Sequence, residues 1–384
     1  MRGVSIVGVG QVPVGEHWDR SLRMLASDAI IAAMQDAGIK AVDALYVGNA
    51  YGGTVSAQTQ IGAMVADYTG LAGVESYSVE AGDASGAAAL RTGYMAVSSG
   101  AVDVALVVGV EKLTDAIAGG RVSGRSVSLD ADYEAVHGAT LPAMAALMMR
   151  RYMHEYDLEL SAFEGFSVNA HLNGSKNANA MFRNKLREGA FAKAPMVASP
   201  VSLFDGAPDA DGAAAVVLVA SDVAQDMVPE PVRIVGSAVA TDTLAIQDRV
   251  DLLWLNAVAQ STEKAFKQAD VDRHDIDLFE LHDGFTVLSA LSLEAAGYAE
   301  RGVGWQHASS IKRIALTGGL PISTFGGLKA RGNPAGATGV YQAVEAAVQL
   351  RGEAGDNQVP DARVAMIQNL GGLASTAVTH ILTL

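Results

Sequence analysis

Apolar runs and amphipathic stretches alternate along the chain. Residues 4–9 form a short apolar run that predicts a strand. Residues 22–37 carry apolar side chains at helical spacing and stop before Gly38, a residue that favours the left-handed turn at a helix end. Residues 102–108 are continuously apolar and β-rich, which suits a strand buried on both faces. This alternation predicts an α/β fold.

The same order of elements recurs in the second part of the chain. Strands are predicted at 232–238, 277–281 and 362–367, and helices at 252–269 and 336–349. The residue-by-residue correspondence between the two series is loose, and chance similarity between alanine- and glycine-rich segments is an alternative. The order of the elements nevertheless predicts two similar halves, residues 1–235 and 236–384.

Residues 116–200 interrupt the alternation and read as an insertion in the first half. Two helices are predicted there, at 144–156 and 160–179. The insertion also contains a basic cluster, which consists of Lys176, Arg183, Lys185, Arg187 and Lys193. These cations either form a solvated face or bind a phosphorylated substrate beneath a cap over the active site.

Composition and charge narrow the range of functions. The chain has 384 residues, with 27 Lys and Arg against 42 Asp and Glu, and hence a net charge of −15. This charge argues against nucleic acid and anionic membranes as partners, because both require an excess of cations. The longest apolar runs, near 101–110 and 212–220, fall short of the roughly 20 residues of a membrane span. With no targeting segment visible, we expect a cytoplasmic protein.

The chain contains no cysteine. Disulfide bonds, thiolate-ligated zinc and a thiol nucleophile are therefore excluded. No pair of the eight histidines has the helical spacing of a metal site, so no metal centre is predicted.

Five motifs occur in order over nearly the whole chain. They are VEAGDASGAAALR at 79–91, GVEK at 109–112, ELHDGFT at 280–286, GGLKARGNPAGATG at 326–339 and NLGG at 369–372. Together they resemble the thiolase superfamily, in particular the sterol-carrier-protein-type and archaeal acetoacetyl-CoA thiolases. Because the motifs are spread over both halves, the resemblance is more specific than any one of them.

The resemblance implies a fold, a ligand and partners. The expected architecture is the duplicated thiolase fold, an α/β fold with five αβαβα layers, two mixed five-stranded sheets and an inserted loop domain at about 116–200. The expected ligand is acyl-CoA, bound as a substrate without any further cofactor. The expected assembly is a homodimer or tetramer. The archaeal relatives also imply a candidate partner protein, a small OB-fold protein with a zinc ribbon.

The sequence departs from the family pattern at two catalytic positions. Asp83 stands where the resemblance places the nucleophilic cysteine, and Asn333 stands where it places the histidine of the Gly-His-Pro motif. The histidine of the His-Asp-x-Phe motif remains as His282. Position x of that motif, often a cysteine in the sterol-carrier type, is Gly284.

Eight residues are predicted to form the site. The predicted catalytic residues are Asp83, His282, Asn333 and Gly372. The predicted substrate-binding residues are Ser85, His137, Phe285 and Gly371. Three of these positions also have a purely structural interpretation: a helix cap for Asp83, a buried hydrogen-bonded histidine for His282 and a turn residue for Asn333.

Two functions are open at this point. Without a cysteine the usual thioester intermediate cannot form, and an acyl-aspartate would be a mixed anhydride too reactive to store an acyl group. Asp83 could instead serve as a general base in retro-aldol or other enolate chemistry on an acyl-CoA. The alternative is a catalytically silent thiolase-like subunit that binds acyl-CoA or supports a partner enzyme.

Overall fold

A computed structural model describes residues 2–187 and 189–384, and these residues form eleven strands and twelve α-helices. The strands are β1 (Val4–Gln11), β2 (Ala44–Gly48), β3 (Glu75–Val79), β4 (Val104–Glu111), β5 (Met196–Ala198), β6 (Val201–Ser202), β7 (Gly212–Ala220), β8 (Val232–Thr241), β9 (Leu278–Glu280), β10 (Val364–Gly371) and β11 (Thr376–Thr383). The helices are α1 (Leu22–Asp36), α2 (Ile61–Tyr68), α3 (Ser85–Ser99), α4 (Ala118–Arg125), α5 (Leu141–Glu155), α6 (Glu164–Gly174), α7 (Ser221–Met227), α8 (Asn256–Ala269), α9 (Thr286–Ala295), α10 (Gln306–Ser309), α11 (Ile311–Ile314) and α12 (Thr338–Leu350).

Nine strands form one continuous mixed sheet in the order β3-β2-β4-β7-β1-β8-β11-β10-β9. The first-half strands β3, β2 and β4 are parallel, as are β9 and β10 of the second half. The two halves meet where β1 pairs with β8 over three residue pairs. The predicted α/β fold with a mixed sheet is confirmed, but the two separate sheets that were expected are joined into one by the pairing of β1 with β8.

The second half differs in strand number from the expected five. It contributes four strands, and the fifth position is reduced to a single parallel bridge between Phe279 and Ile322. Pro321 precedes this bridge and has no N–H to donate, so the pairing does not extend into a strand. The predicted division between residues 235 and 236 lies inside β8. This strand pairs with β1 of the first half at its start and with β11 of the second half along its length, so it belongs to both halves.

Three apolar clusters lie between the layers of helices and strands. One lies between α1 and α2 and the outer face of the first-half strands, and contains Val7. The central cluster contains its neighbour Ile6 and surrounds α3 and α12. The third packs α8 and α9 against the second-half strands and extends to α5 of the insertion. Successive side chains of β1 thus point to different layers, as strand geometry requires.

Helices α3 and α12 cross with their backbones in contact. A Cβ atom on Gly86 would lie 2.8 Å from the carbonyl oxygen of Gly336, and one on Gly339 would lie 2.3 Å from the amide nitrogen of Ala87. Neither position can therefore hold a side chain without separating the helices. Since the crossing lies near the first turn of both helices, it brings residues 83 and 333 together.

Several predicted boundaries shift in the structure. The helix predicted at 252–269 begins only at Asn256, and the one predicted at 160–179 is a short 3₁₀ turn followed by α6, which ends at Gly174. Strands β3, β5, β6, β7 and β11 were not predicted. Among the described residues, no helix is both long and apolar enough to cross a bilayer.

Candidate active site

A cavity of about 380 Å³ opens between the insertion and the first turns of α3 and α12. Five of the predicted site residues line it: Asp83, His282, Phe285, Asn333 and Gly372. Much of the remaining wall is apolar and includes Leu141, Pro142, Val197, Val201, Phe204 and Leu288. The arrangement is that of a small-molecule site, in which a few polar groups converge in a mainly apolar pocket.

Asp83 is a buried carboxylate held by three donors. Its Oδ1 accepts a hydrogen bond from the Tyr51 hydroxyl at 2.6 Å, and its Oδ2 pairs with Arg125 Nη2 at 2.7 Å. Asn333 Nδ2 donates to the same Oδ2 at 3.2 Å. Burial alone would raise the pKa of Asp83, but the Arg125 guanidinium and these donors hold it below its usual value. Asp83 is therefore ionised at neutral pH.

The amide of Asn333 has a fixed orientation. Its Oδ1 accepts from the Thr338 hydroxyl at 2.9 Å, so its Nδ2 faces Asp83. An amide nitrogen carries two protons, and only one is used by Asp83. The second has no hydrogen-bond partner among the described residues, and Asn333 lines the cavity.

His282 is neutral in its buried position. Burial lowers its pKa to about 4, although the nearby Asp83 opposes the shift. Nδ2 of Asn369 lies 2.9 Å from His282 Nδ1, so Nδ1 accepts and the single ring proton lies on Nε2. A neutral imidazole with a free Nε2–H is a donor for a developing oxyanion and a poor proton acceptor.

Two further carboxylates fix the loops around the cavity. Buried Glu111 accepts from the amide nitrogens of Ala50 and Gly336 at 2.9 and 3.1 Å, which ties the loop after β2 to the start of α12. Burial raises the pKa of Glu111 to about 7. Fully buried Asp211 accepts from Lys112 Nζ at 2.6 Å and from the Thr114 hydroxyl at 2.7 Å, which anchors the loop after β4.

Three predicted site residues lie outside the cavity lining. Ser85 is buried, and its hydroxyl donates to the carbonyl of Gly82 within the turn that precedes α3. Gly371 lies behind this turn, where an added Cβ would approach the Ala81 carbonyl oxygen to 2.2 Å. His137 lies on an exposed turn of the insertion. The first two therefore shape the backbone at Asp83 from behind, while His137 is placed away from it.

Two of the three residues that hold Asp83 were not predicted from the sequence. Arg125 is the last residue of α4, and Tyr51 lies in the loop after β2 with its ring 5.5 Å from the Arg125 guanidinium. Arg125 also pairs with Asp209 on the cavity wall. One chemical argument could have indicated Arg125. A carboxylate buried at a helix start needs a cation nearby, and residues 116–200 are rich in arginine and lysine.

Removing the Arg125 charge is expected to raise the pKa of Asp83. In Arg125→Met the burial that opposes ionisation is no longer balanced by the guanidinium, so the carboxyl titrates at higher pH than in the native chain. Carbon-13 NMR of aspartate-labelled protein measures this, with the Asp83 resonance assigned from Asp83→Asn. Arg121→Met is the matched control, because Arg121 approaches Asp209 at 3.7 Å and makes no contact with Asp83. An unchanged Asp83 titration in Arg125→Met would contradict the assignment.

Comparison with known proteins identifies the family. The thiolase N-terminal domain family matches residues 4–189, and the thiolase C-terminal domain-like family matches residues 238–384. The chain is 41% identical to an acetyl-CoA acetyltransferase of Methanothermobacter thermautotrophicus over 99% of both chains. It is 28% identical to human sterol carrier protein 2, over 99% of this chain and 72% of that protein.

A solved structure supports the same assignment at the level of the fold. The Ltp2-ChsH2(DUF35) aldolase superposes with a TM-score of 0.86 at 24% identity, over 99% of this chain and 97% of that one. The family matches in both halves, the sequence relatives and the fold thus indicate the same family. The chain belongs to the thiolase superfamily.

Proposed function

We propose that the protein cleaves the carbon–carbon bond of a β-hydroxyacyl-CoA by a retro-aldol reaction. The observation that carries this proposal is an ionised carboxylate, Asp83, which faces a mainly apolar cavity beside two neutral donors, Asn333 and His282. A cysteine-free chain cannot form the thioester that acyl transfer in this family requires. Asp83 can nevertheless accept a proton, and the two donors can stabilise an oxyanion.

The reaction balances without an oxidant, metal or added cofactor. The Asp83 carboxylate accepts the proton of the β-hydroxyl group, the Cα–Cβ bond breaks, and Cβ becomes a ketone or aldehyde. The electron pair passes to Cα and the thioester carbonyl, whose oxygen accepts hydrogen bonds from His282 Nε2–H and Asn333 Nδ2–H. The proton on Asp83 then returns to Cα of the enolate and gives a shortened acyl-CoA. Three donors occupy Asp83, and a carboxylate offers about four lone-pair directions, so one remains for the substrate.

A second function is favoured by one specific contact. The ion pair with Arg125 weakens Asp83 as a base, since it stabilises the carboxylate relative to the carboxylic acid. A silent subunit that binds acyl-CoA without turning it over would tolerate this loss of basicity.

The solved aldolase with the same fold contains a DUF35 partner, and we propose by analogy that an OB-fold zinc-ribbon protein assembles with this chain. Assembly as a homodimer or tetramer and a cytoplasmic location belong to the same proposal.

Product analysis separates the two functions. The full chain is incubated in deuterated water with 3-hydroxy-3-methylacyl-CoA and 3-hydroxyacyl-CoA thioesters of different length, and the mixture is analysed by mass spectrometry. Retro-aldol cleavage yields a ketone or aldehyde and acetyl-CoA with one deuterium at Cα. Heat-inactivated protein gives the background. Calorimetry on the same thioesters is the second arm: binding without products from any of them would establish the silent subunit, and absence of binding would refute both functions.

A further inference from the structure

Two further polar side chains line the same cavity and have no role in the reaction above. His171 on α6 and Lys329, in the turn that leads to Asn333, both line the cavity and are about 95% buried. Neither makes a hydrogen bond or an ion pair with Asp83, His282 or Asn333 in the described residues. Both pack on the ring of Phe204: the His171 ring centroid is 6.0 Å away and Lys329 Nζ is 5.6 Å away.

His171 presents an unused hydrogen-bond acceptor. Burial lowers its pKa to about 4, so the ring is neutral at physiological pH. Its Nδ1 lies 3.1 Å from the carbonyl oxygen of Asn184, which can only accept, so Nδ1 carries the ring proton. Nε2 therefore holds a lone pair. This atom is buried and has no partner among the described residues.

Lys329 presents an unused donor. Its Nζ donates to the carbonyl oxygens of Leu203 and Gly206 at 3.0 and 2.7 Å, which leaves one of its three N–H groups. Burial lowers its pKa to about 8, so it remains largely charged at neutral pH. No carboxylate in the described residues lies within ion-pair distance of it. Nearby Asp205 is occupied instead by the hydroxyl groups of Ser202 and Thr286.

The chemistry of this pair selects among ligand groups. A hydrocarbon chain packed here would leave both the His171 acceptor and the Lys329 donor unpaired, which is costly for buried polar groups. A carboxylate would satisfy Lys329 but would place negative charge against the His171 lone pair. A hydroxyl group can donate to one and accept from the other.

We propose that the acyl part of the substrate carries a second hydroxyl group, distinct from the one that reacts at Asp83, which donates to His171 Nε2 and accepts from Lys329 Nζ. This inference rests on the proposed function, because it takes the cavity to be the acyl site of a CoA thioester. The preferred substrates are thus hydroxylated acyl-CoAs rather than plain alkyl or dicarboxylic ones.

The test measures binding with probes that cannot be cleaved. Calorimetry compares octanoyl-CoA, octanedioyl-CoA and four hydroxyoctanoyl-CoAs with the hydroxyl at carbon 5, 6, 7 or 8, none of which carries a 3-hydroxyl group. At least one hydroxylated probe is expected to bind about tenfold more tightly than octanoyl-CoA, because the net gain from buried hydrogen bonds is small once the hydroxyl group has left water. This preference, taken as the ratio of the two affinities measured in one variant, is expected to disappear in His171→Phe and in Lys329→Met.

His307→Phe is the control, since His307 is partly buried and lies outside the cavity lining. This variant should keep the preference for the hydroxylated probe.

The inference is overturned if no hydroxylated probe is preferred over octanoyl-CoA, if octanedioyl-CoA binds more tightly than all of them, or if the preference survives in His171→Phe. Should Lys329→Met fail to fold, the histidine variant decides alone. A protein that shows the preference but forms no product would refute the retro-aldol function and leave the hydroxyl site standing; absence of binding by every thioester would refute both.

Discussion

Replacing Asp83 with asparagine is expected to lower kcat for retro-aldol cleavage by about 10²–10⁴-fold, the usual contribution of a positioned general base. The amide has nearly the shape of the carboxylate but cannot accept the β-hydroxyl proton. Arg125 keeps its second partner, Asp209, so the substitution does not leave a buried cation without a carboxylate. Single-turnover kinetics with the best thioester from the product screen measures the effect.

Asp209→Asn is the matched control for this prediction. Asp209 lines the same cavity and pairs with the same arginine, and its backbone bridges to that of Asn333, but in the described residues its side chain makes no hydrogen bond with Asn333 or Tyr51. Its replacement should change kcat by less than about tenfold, because the carboxylate that accepts the β-hydroxyl proton is still present. If kcat fell equally in the two variants, the rate would depend on the two carboxylates that pair with Arg125. It would not depend on a base at position 83.

Replacing Asp211 with asparagine is expected to destabilise the fold by about 3–5 kcal/mol at neutral pH, as for other broken buried ion pairs. Asp211 is fully buried and accepts from Lys112, from the Thr114 hydroxyl and from the amide nitrogens of Leu113 and Thr114. An asparagine has only one acceptor atom and turns an amide NH₂ toward these donors. Lys112 is itself buried, and its other partner, Asp115, is largely exposed. Chemical denaturation measures the loss.

The pH dependence of this loss follows from the direction of the pKa shift. Although burial opposes ionisation, hydrogen bonds from Lys112 and Thr114 hold the pKa of Asp211 below its ordinary value. The stabilisation is therefore complete above the unfolded-state pKa of about 3.9 and is lost as pH falls through the lower folded-state value. The difference between the native chain and Asp211→Asn should narrow in acid. Asp103→Asn, which removes an exposed partner of Arg2, should cost less than about 1 kcal/mol; a comparable loss there would contradict the account.

Local patterns predicted the scaffold where apolar spacing and backbone chemistry agree. Helix α1 ends within a residue of its predicted end because Gly38 adopts the left-handed conformation, with φ of +68°. Strand β3 escaped prediction because it is mostly exposed and carries polar Glu75, Ser76 and Ser78. The start of α8 was misplaced because Leu253 and Leu255 are buried in a non-helical turn, so apolar spacing continues past the helix.

The candidate site was predictable only for residues that belong to the motifs of the family that the chain resembles. Asp83, His282 and Asn333 all line the cavity, although their roles remain predictions. Arg125 contacts Asp83 across 42 residues of sequence, and no local period links the two. That His171 and Lys329 line one cavity was equally unpredictable, although Lys329 lies in the motif at 326–339, because α6 and the turn before Asn333 meet only in the folded chain. Long-range electrostatic partners are set by topology, which spacing along the sequence does not encode.

The glycine contact between α3 and α12 has a consequence for how new activities arise on this scaffold. The distance between positions 83 and 333 is set by bare backbone at Gly86 and Gly339, and not by the side chains that do chemistry. Randomising positions 83 and 333 together should therefore yield mostly folded proteins, while the same library at Gly86 and Gly339 should yield few. Laboratory evolution can thus exchange the reacting pair freely and screen for reactions that neither a cysteine nor an aspartate supports.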